Sequence, residues 1–166
     1  MNFSLTSEQS ALQRQCRRLA EDFANHAEKH DREASPPNSN YGGLRDAGLF
    51  GLLVSKELGG LGVGLLGHTL AMEELAQGCA ATALSFNMHC VAAYTLTESG
   101  AFDDAIRKRV AQLIIEDRKL VANLISEAGT TNLLYSTRAS STQARRVAGG
   151  YVLNGRKAFA SMISSA

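Results

Sequence analysis

The chain has 166 residues, 45% of them hydrophobic and 20% charged, with a net charge of +1. That balance excludes a disordered chain, and short basic runs such as the pairs Arg17-Arg18 and Arg145-Arg146 give no footprint for nucleic acid. No apolar run reaches membrane-spanning length, and the opening MNFSLTSEQS lacks the basic-then-apolar order of a secretory signal.

Thr6 followed by Gln9 has capping-box spacing. Leu12, Cys16, Leu19, Phe23 and Ala27 continue at helical steps, which predicts an amphipathic helix over 6–33. Pro36 and Pro37 break it. A short helix is expected over 39–47, ended by Gly48. LFGLLVSKELGGLGVGLLG reads as a buried connection turning at Gly59-Gly60. A third helix is expected from Gly67, with Met72, Leu75, Ala76 and Cys79 on one stripe. A fourth, over 80–98, is apolar nearly all round (Leu84, Phe86, Met88, Val91, Ala92), as in the centre of a bundle. A fifth, over 102–116, turns Phe102, Ile106, Val110, Leu113 and Ile114 inward.

After Arg118 the pattern changes. KLVANLIS predicts a strand, STRASSTQARRV a second, and GGYVLNGRKAFASM a hairpin turning at Asn154-Gly155. Helices first and strands last predicts an α+β chain: an all-α helical bundle over 1–118, then the start of an antiparallel β-domain over 119–166. Cys16, Cys79 and Cys90 are odd in number without C-x-x-C spacing, which predicts buried free thiols in a reducing cytoplasm.

Several groups of residues carry competing readings. Gly62 to Gly67 match G-x-G-x-x-G, but no strand directly precedes them, so a tight glycine loop is the expected structure. Ser126 to Asn132 follow a predicted strand, and are either an ordinary polar loop or donors to a ligand. Phe159 and Ser161 alternate on one predicted strand face, where an aromatic ring and a hydroxyl could meet a flat cofactor or simply fill a core. His89 and Asn87 lie in an apolar helix, where a hydrogen-bonded core role competes with chemistry. His26, His30, His68 and His89 show no metal-ligand spacing, and no metal site is expected.

In order along the whole chain, five segments resemble the acyl-CoA dehydrogenase superfamily. They are LTSEQSALQRQCRRLAED, LRDAGLFGLLVSKELGGLGVG, AMEELAQGCAATALSFNMH, LISEAG and GGYVLNGRKAFASM. Ser55 stands where that family often has proline, and AGTTN replaces its usual P-G-x-G-S-D. The resemblance implies a longer parent protein with FAD against the β-domain and an acyl-CoA substrate between the flavin and the central helices. It implies flavin contacts at Leu124, Ser126, Glu127, Phe159 and Ser161, and a substrate side at Phe86, Asn87, His89, Asn123, Gly129, Thr130 and Thr131.

The chemistry it implies is α,β-dehydrogenation of the thioester by hydride transfer to FAD. The base is expected in a C-terminal region outside this sequence, so no catalytic residue is assigned. The 166 residues are expected to be a fragment, inactive alone, of a protein that is a homo-oligomer at full length. One rival shares the fold but oxygenates its substrate with reduced FMN from a separate reductase, through His89, Asn123 and Ser161. Another is a non-catalytic helical interaction module.

Overall fold

The computed structural model describes residues 4–127 and 140–166. Among them are five α-helices followed by one two-stranded antiparallel sheet.

Helix α1 (Ser7–Glu33) begins at the predicted capping box. The Gln9 N–H donates to Thr6 Oγ1 at 3.2 Å, and the Thr6 N–H to Gln9 Oε1 at 2.9 Å. A cap of this kind stabilises by ~1 kcal/mol. Leu12, Cys16, Ala20 and Phe23 are buried in one stripe, and Leu19 and Ala27 flank it half-buried. The helix ends at Ala34 in the left-handed conformation, just before the two prolines.

Helix α2 (Asn38–Asp46) stops before Gly48, whose φ is 74°. Two short 3-10 turns follow, Leu49–Gly51 and Lys56–Leu58. The chain then folds back on itself: Leu61 N–H donates to the Gly51 carbonyl, Gly62 N–H to Val54 and Val63 N–H to Leu52. Leu49, Leu52 and Val54 are fully buried beneath this return. Gly60 must be glycine, because a Cβ there would collide with the Val54 backbone. The G-x-G-x-x-G match therefore follows a 3-10 turn and a loop, as the tight-loop reading expects.

Helix α3 (Gly64–Gly78) starts three residues before the expected Gly67 and packs along α1. Gly78 lets the two backbones meet, since a Cβ on it would run into the Ala20 carbonyl. Glu74, buried on α3, receives a two-pronged bond from Arg17, at 2.9 Å from Nε and 2.7 Å from Nη2. Ala76, expected on the inner stripe, is exposed.

Helix α4 (Ala80–Glu98) is not enclosed on all sides, as its composition predicted. Phe86, His89, Cys90 and Ala93 face the core, but Leu84, Val91 and Tyr94 are exposed. Helix α5 (Asp104–Ile115) is capped by Asp103, whose carboxylate accepts the Ile106 N–H at 2.9 Å. Ile114 turns inward, whereas Ile106 is exposed, contrary to expectation. No helix among the described residues is long and apolar enough to cross a membrane.

The sheet corrects the predicted strands. Strand β1 (Gln143–Val147) pairs with β2 (Gly150–Asn154) with Arg145 opposite Val152. The turn is therefore Ala148-Gly149, where Gly149 has φ 81°, and not Asn154-Gly155. Asn-Gly is a strong hairpin signal, but here it closes β2 and brings Gly155 against Thr142. The expected strand in KLVANLIS forms no ladder among the described residues, where an isolated bridge joins Glu127 to Lys157. Residues 158–160 are irregular and 161–165 form turns rather than a strand, with Phe159 and Met162 at positive φ. Phe159 and Ser161 thus do not alternate on one strand face.

Candidate functional site

The short pairing of 126–127 with 157–158 assembles most of the residues expected at a cofactor. The Ala158 N–H donates to the Ser126 carbonyl at 3.0 Å, next to the Glu127–Lys157 bridge. One residue on, Phe159 has φ 54° and its ring is 93% exposed. A non-glycine residue in that conformation costs on the order of 1 kcal/mol, so the exposed ring is held out by the turn around it. The turn closes with Ser161 N–H donating to the Phe159 carbonyl at 3.0 Å. Leu124, also exposed, and half-buried Asn123 lead into Ser126. The structure thus brings Ser126, Phe159 and Ser161 close along the backbone. Gly129, Thr130 and Thr131 lie outside the described residues.

Glu127 does not face outward as a cofactor contact. Its carboxylate is buried and turned into the protein. Oε1 accepts from Ser140 Oγ at 2.5 Å, from the Thr142 N–H at 3.0 Å and from Lys157 Nζ at 2.8 Å. Oε2 accepts from the Ser141 N–H and Oγ, both at 2.7 Å. These donors, the lysine first, hold the carboxyl far below the usual carboxylate range. The carboxylate itself is therefore committed to contacts within the chain.

On the helical side, Phe86 and His89 are fully buried and not on an open substrate face. They stack with ring centroids 5.7 Å apart, and Phe50 packs on both. His89 Nδ1 accepts the Val121 N–H at 2.9 Å. Nε2 must then carry the proton, which it donates to the Phe50 carbonyl at 2.9 Å. Burial, the larger effect, pushes the imidazole down to about 4 despite those bonds. His89 is the satisfied core histidine that was one of its two readings. Asn87 is half-buried on the next face.

The open face of α4 was not foreseen. Leu84, Asn87, Val91 and Tyr94 follow at three- and four-residue steps, so they form one stripe. Beside it lies a cavity of about 630 Å³ lined by Leu53, Leu65, His68, Val91, Tyr94 and Glu98, among others. Burial lowers the His68 pKa, and the neighbouring Asn87 side chain partly opposes that shift. The signal for this stripe was the lack of a clear polar face on α4, which hides which apolar side is left uncovered. Among the described residues no cluster of three His, Cys, Asp or Glu could hold a metal ion.

Comparison with known proteins places this geometry in context. Residues 6–116 match the family model "Acyl-CoA dehydrogenase, N-terminal domain". Isovaleryl-CoA dehydrogenase, mitochondrial, of Solanum tuberosum is 34% identical over 142 residues, covering 82% of this chain and 33% of its own. The structure of a glutaryl-coenzyme A dehydrogenase with glutaryl-CoA is 26% identical with TM-score 0.73, covering 93% of this chain and 39% of its own. TdsC from Paenibacillus sp. A11-2, solved with FMN and indole, is 25% identical with TM-score 0.72, covering 90% and 36%. The chain spans only 33% to 40% of the length of the curated relatives it matches. Its matched helical region covers most of its residues, and the chain belongs to the acyl-CoA dehydrogenase family through that N-terminal domain.

Proposed function

We propose that the protein carrying this chain is an FAD-dependent acyl-CoA dehydrogenase, with residues 1–118 as its helical domain and 119–166 as the start of its flavin-binding β-domain. The observation that carries the reading is the exposed Phe159 ring, held out by a strained turn beside the backbone-paired Ser126. A flat apolar ring with Ser161 two residues on and Ser126 backbone-paired to the residue before it fits an isoalloxazine, which is planar with a polar edge. In this arrangement Phe159 packs by the ring, Ser126 hydrogen-bonds the pyrimidine edge, and Ser161 and Leu124 border the remainder.

The bound flavin supplies the hydride acceptor. The chain's own residues orient and exclude water. The apolar stripe Leu84, Val91 and Tyr94, with Asn87, offers an acyl chain a surface that costs little desolvation. Phe86 and His89 support that stripe from behind. Asn123 stands at the entrance to the Ser126 segment. The loop with Gly129, Thr130 and Thr131 belongs to the thioester side in this reading. The exposed apolar residues of α3 and α4 also fit association into a homo-oligomer. Three buried free cysteines fit a cytoplasmic protein.

The test uses the protein expressed from its complete reading frame. It should purify with a flavin absorbance band, and a panel of acyl-CoA thioesters should bleach that band without oxygen. Absence of bleaching by every thioester sinks the reading. The likeness to TdsC, a dibenzothiophene monooxygenase solved with FMN, supports one alternative, an oxygenase using reduced FMN. That alternative predicts oxygen consumption only when reduced flavin is supplied, and no bleaching by thioesters.

A further inference from the structure

We propose that Glu127 is a positioning residue: its carboxylate fastens residues 140–142 and Lys157 together so that Ser126 and Phe159 present one surface to the cofactor. This rests on the flavoprotein reading for what the surface receives, and on the hydrogen bonds of Glu127 alone for how it is held.

Among the described residues, five donors converge on one buried carboxylate. A carboxylate offers roughly four lone-pair directions, so nothing remains for a ligand donor. Four of the five donors come from three consecutive residues, Ser140 to Thr142, including two backbone N–H groups. An ordinary ion pair explains only the fifth, Lys157.

Lys157 extends the fastening. Its ammonium also donates to the Ile125 carbonyl at 3.3 Å. The Ala158 N–H holds the next carbonyl, that of Ser126, at 3.0 Å. Ser126 is thus bracketed by two bonds from Lys157 and its neighbour, and Lys157 is held by Glu127. Phe159 follows directly from the same two residues. Releasing the carboxylate frees residues 140–142 and loosens the lysine in one step. The pair also cancels its own charge, so no unpaired ammonium stands beside Ser126 and Phe159.

The test compares Glu127→Gln, Lys157→Met and Lys157→Arg with the parent in the protein from its complete reading frame. Amide hydrogen exchange at Ser141 and Thr142 is read without flavin, and FAD affinity by fluorescence titration. Glu127→Gln replaces one acceptor oxygen with a donor. It should speed exchange at both amides and weaken FAD binding about tenfold or more, with helical circular dichroism unchanged. Lys157→Met should weaken FAD binding by a smaller factor, and Lys157→Arg, which keeps a cationic donor, should remain near the parent. Unchanged exchange at Ser141 and Thr142 in Glu127→Gln overturns the fastening. Faster exchange with FAD affinity within about twofold of the parent overturns the positioning role. A parent that binds no flavin overturns the flavoprotein reading instead, while the exchange data still decide the fastening.

Discussion

His89 Nδ1 takes the backbone N–H of Val121 at 2.9 Å, so a buried helix side chain fixes the segment that leads to Ser126. The other ring nitrogen donates to Phe50, in the return loop before α3. One neutral imidazole therefore ties α4 to two connections at once. Its protonation would remove the acceptor that Val121 uses and place a charge in the core.

The pH consequence has a definite sign. His89 in the fold sits near 4, against 6.5 for an ordinary histidine, chiefly through burial. Between those values the unfolded chain binds a proton that the folded chain does not, so stability falls as pH drops. The full effect is on the order of 3 kcal/mol and is complete only below pH 4. Denaturant melts of the parent should show this loss between pH 6.5 and 4. His89→Gln, which keeps a donor and an acceptor but does not titrate, should flatten that part of the profile. An unchanged slope in the variant refutes the assignment.

Glycine substitutions should separate tight approach from mere helix membership. Gly78→Ala puts a methyl group into the Ala20 carbonyl between α1 and α3. A loss of roughly 2–4 kcal/mol in chemical denaturation is expected, as for other overpacked or displaced core positions. Gly42→Ala, in α2, meets only the Arg45 side chain at 3.8 Å. It should be neutral or stabilise by up to about 1 kcal/mol through the unfolded state. Equal effects at the two sites would contradict the close packing of α1 on α3.

Val91 and Leu84 test the open stripe of α4. Both are exposed, so Val91→Asp and Leu84→Asp should change stability by no more than about 0.5 kcal/mol each. If an acyl chain lies on this face, KM for long-chain thioesters should rise several-fold in the complete protein, and less for short ones. A uniform drop in kcat with unchanged KM would move the acyl chain elsewhere.

Local chemistry made the helices legible. Thr6 with Gln9, the Pro36-Pro37 pair and Gly48 fix ends through backbone bonds and φ, which lie within a few residues of each other. The strands were less legible because pairing is not local. Asn154-Gly155 and Ala148-Gly149 are both plausible turns, and the choice depends on whether Gln143–Val147 finds its partner on β2. The same limit applied at the site. Glu127 and Phe159 stood in the right motifs, but nothing nearby showed that one carboxylate would collect donors from Ser140 to Thr142. Nor did alternation reveal that Phe159 lies in a positive-φ turn. His89 was open to two readings because its partners, Phe50 and Val121, are far away in sequence.

Phe159 gives the most direct separation of folding from binding. Its ring is 93% exposed and its backbone lies at φ 54°. Removing the ring costs no core contact, so Phe159→Ala should change the melting midpoint little. Phe159→Gly should stabilise the turn by about 1 kcal/mol, since glycine adopts that conformation without penalty. Both should weaken FAD binding in the complete protein, because both remove the ring that packs against the flavin. The informative outcome is the Gly variant: firmer folding with poorer flavin retention means that the strain is kept for the ring's position. Gly and Ala variants that retain FAD as tightly as the parent would show that the exposed ring serves another surface.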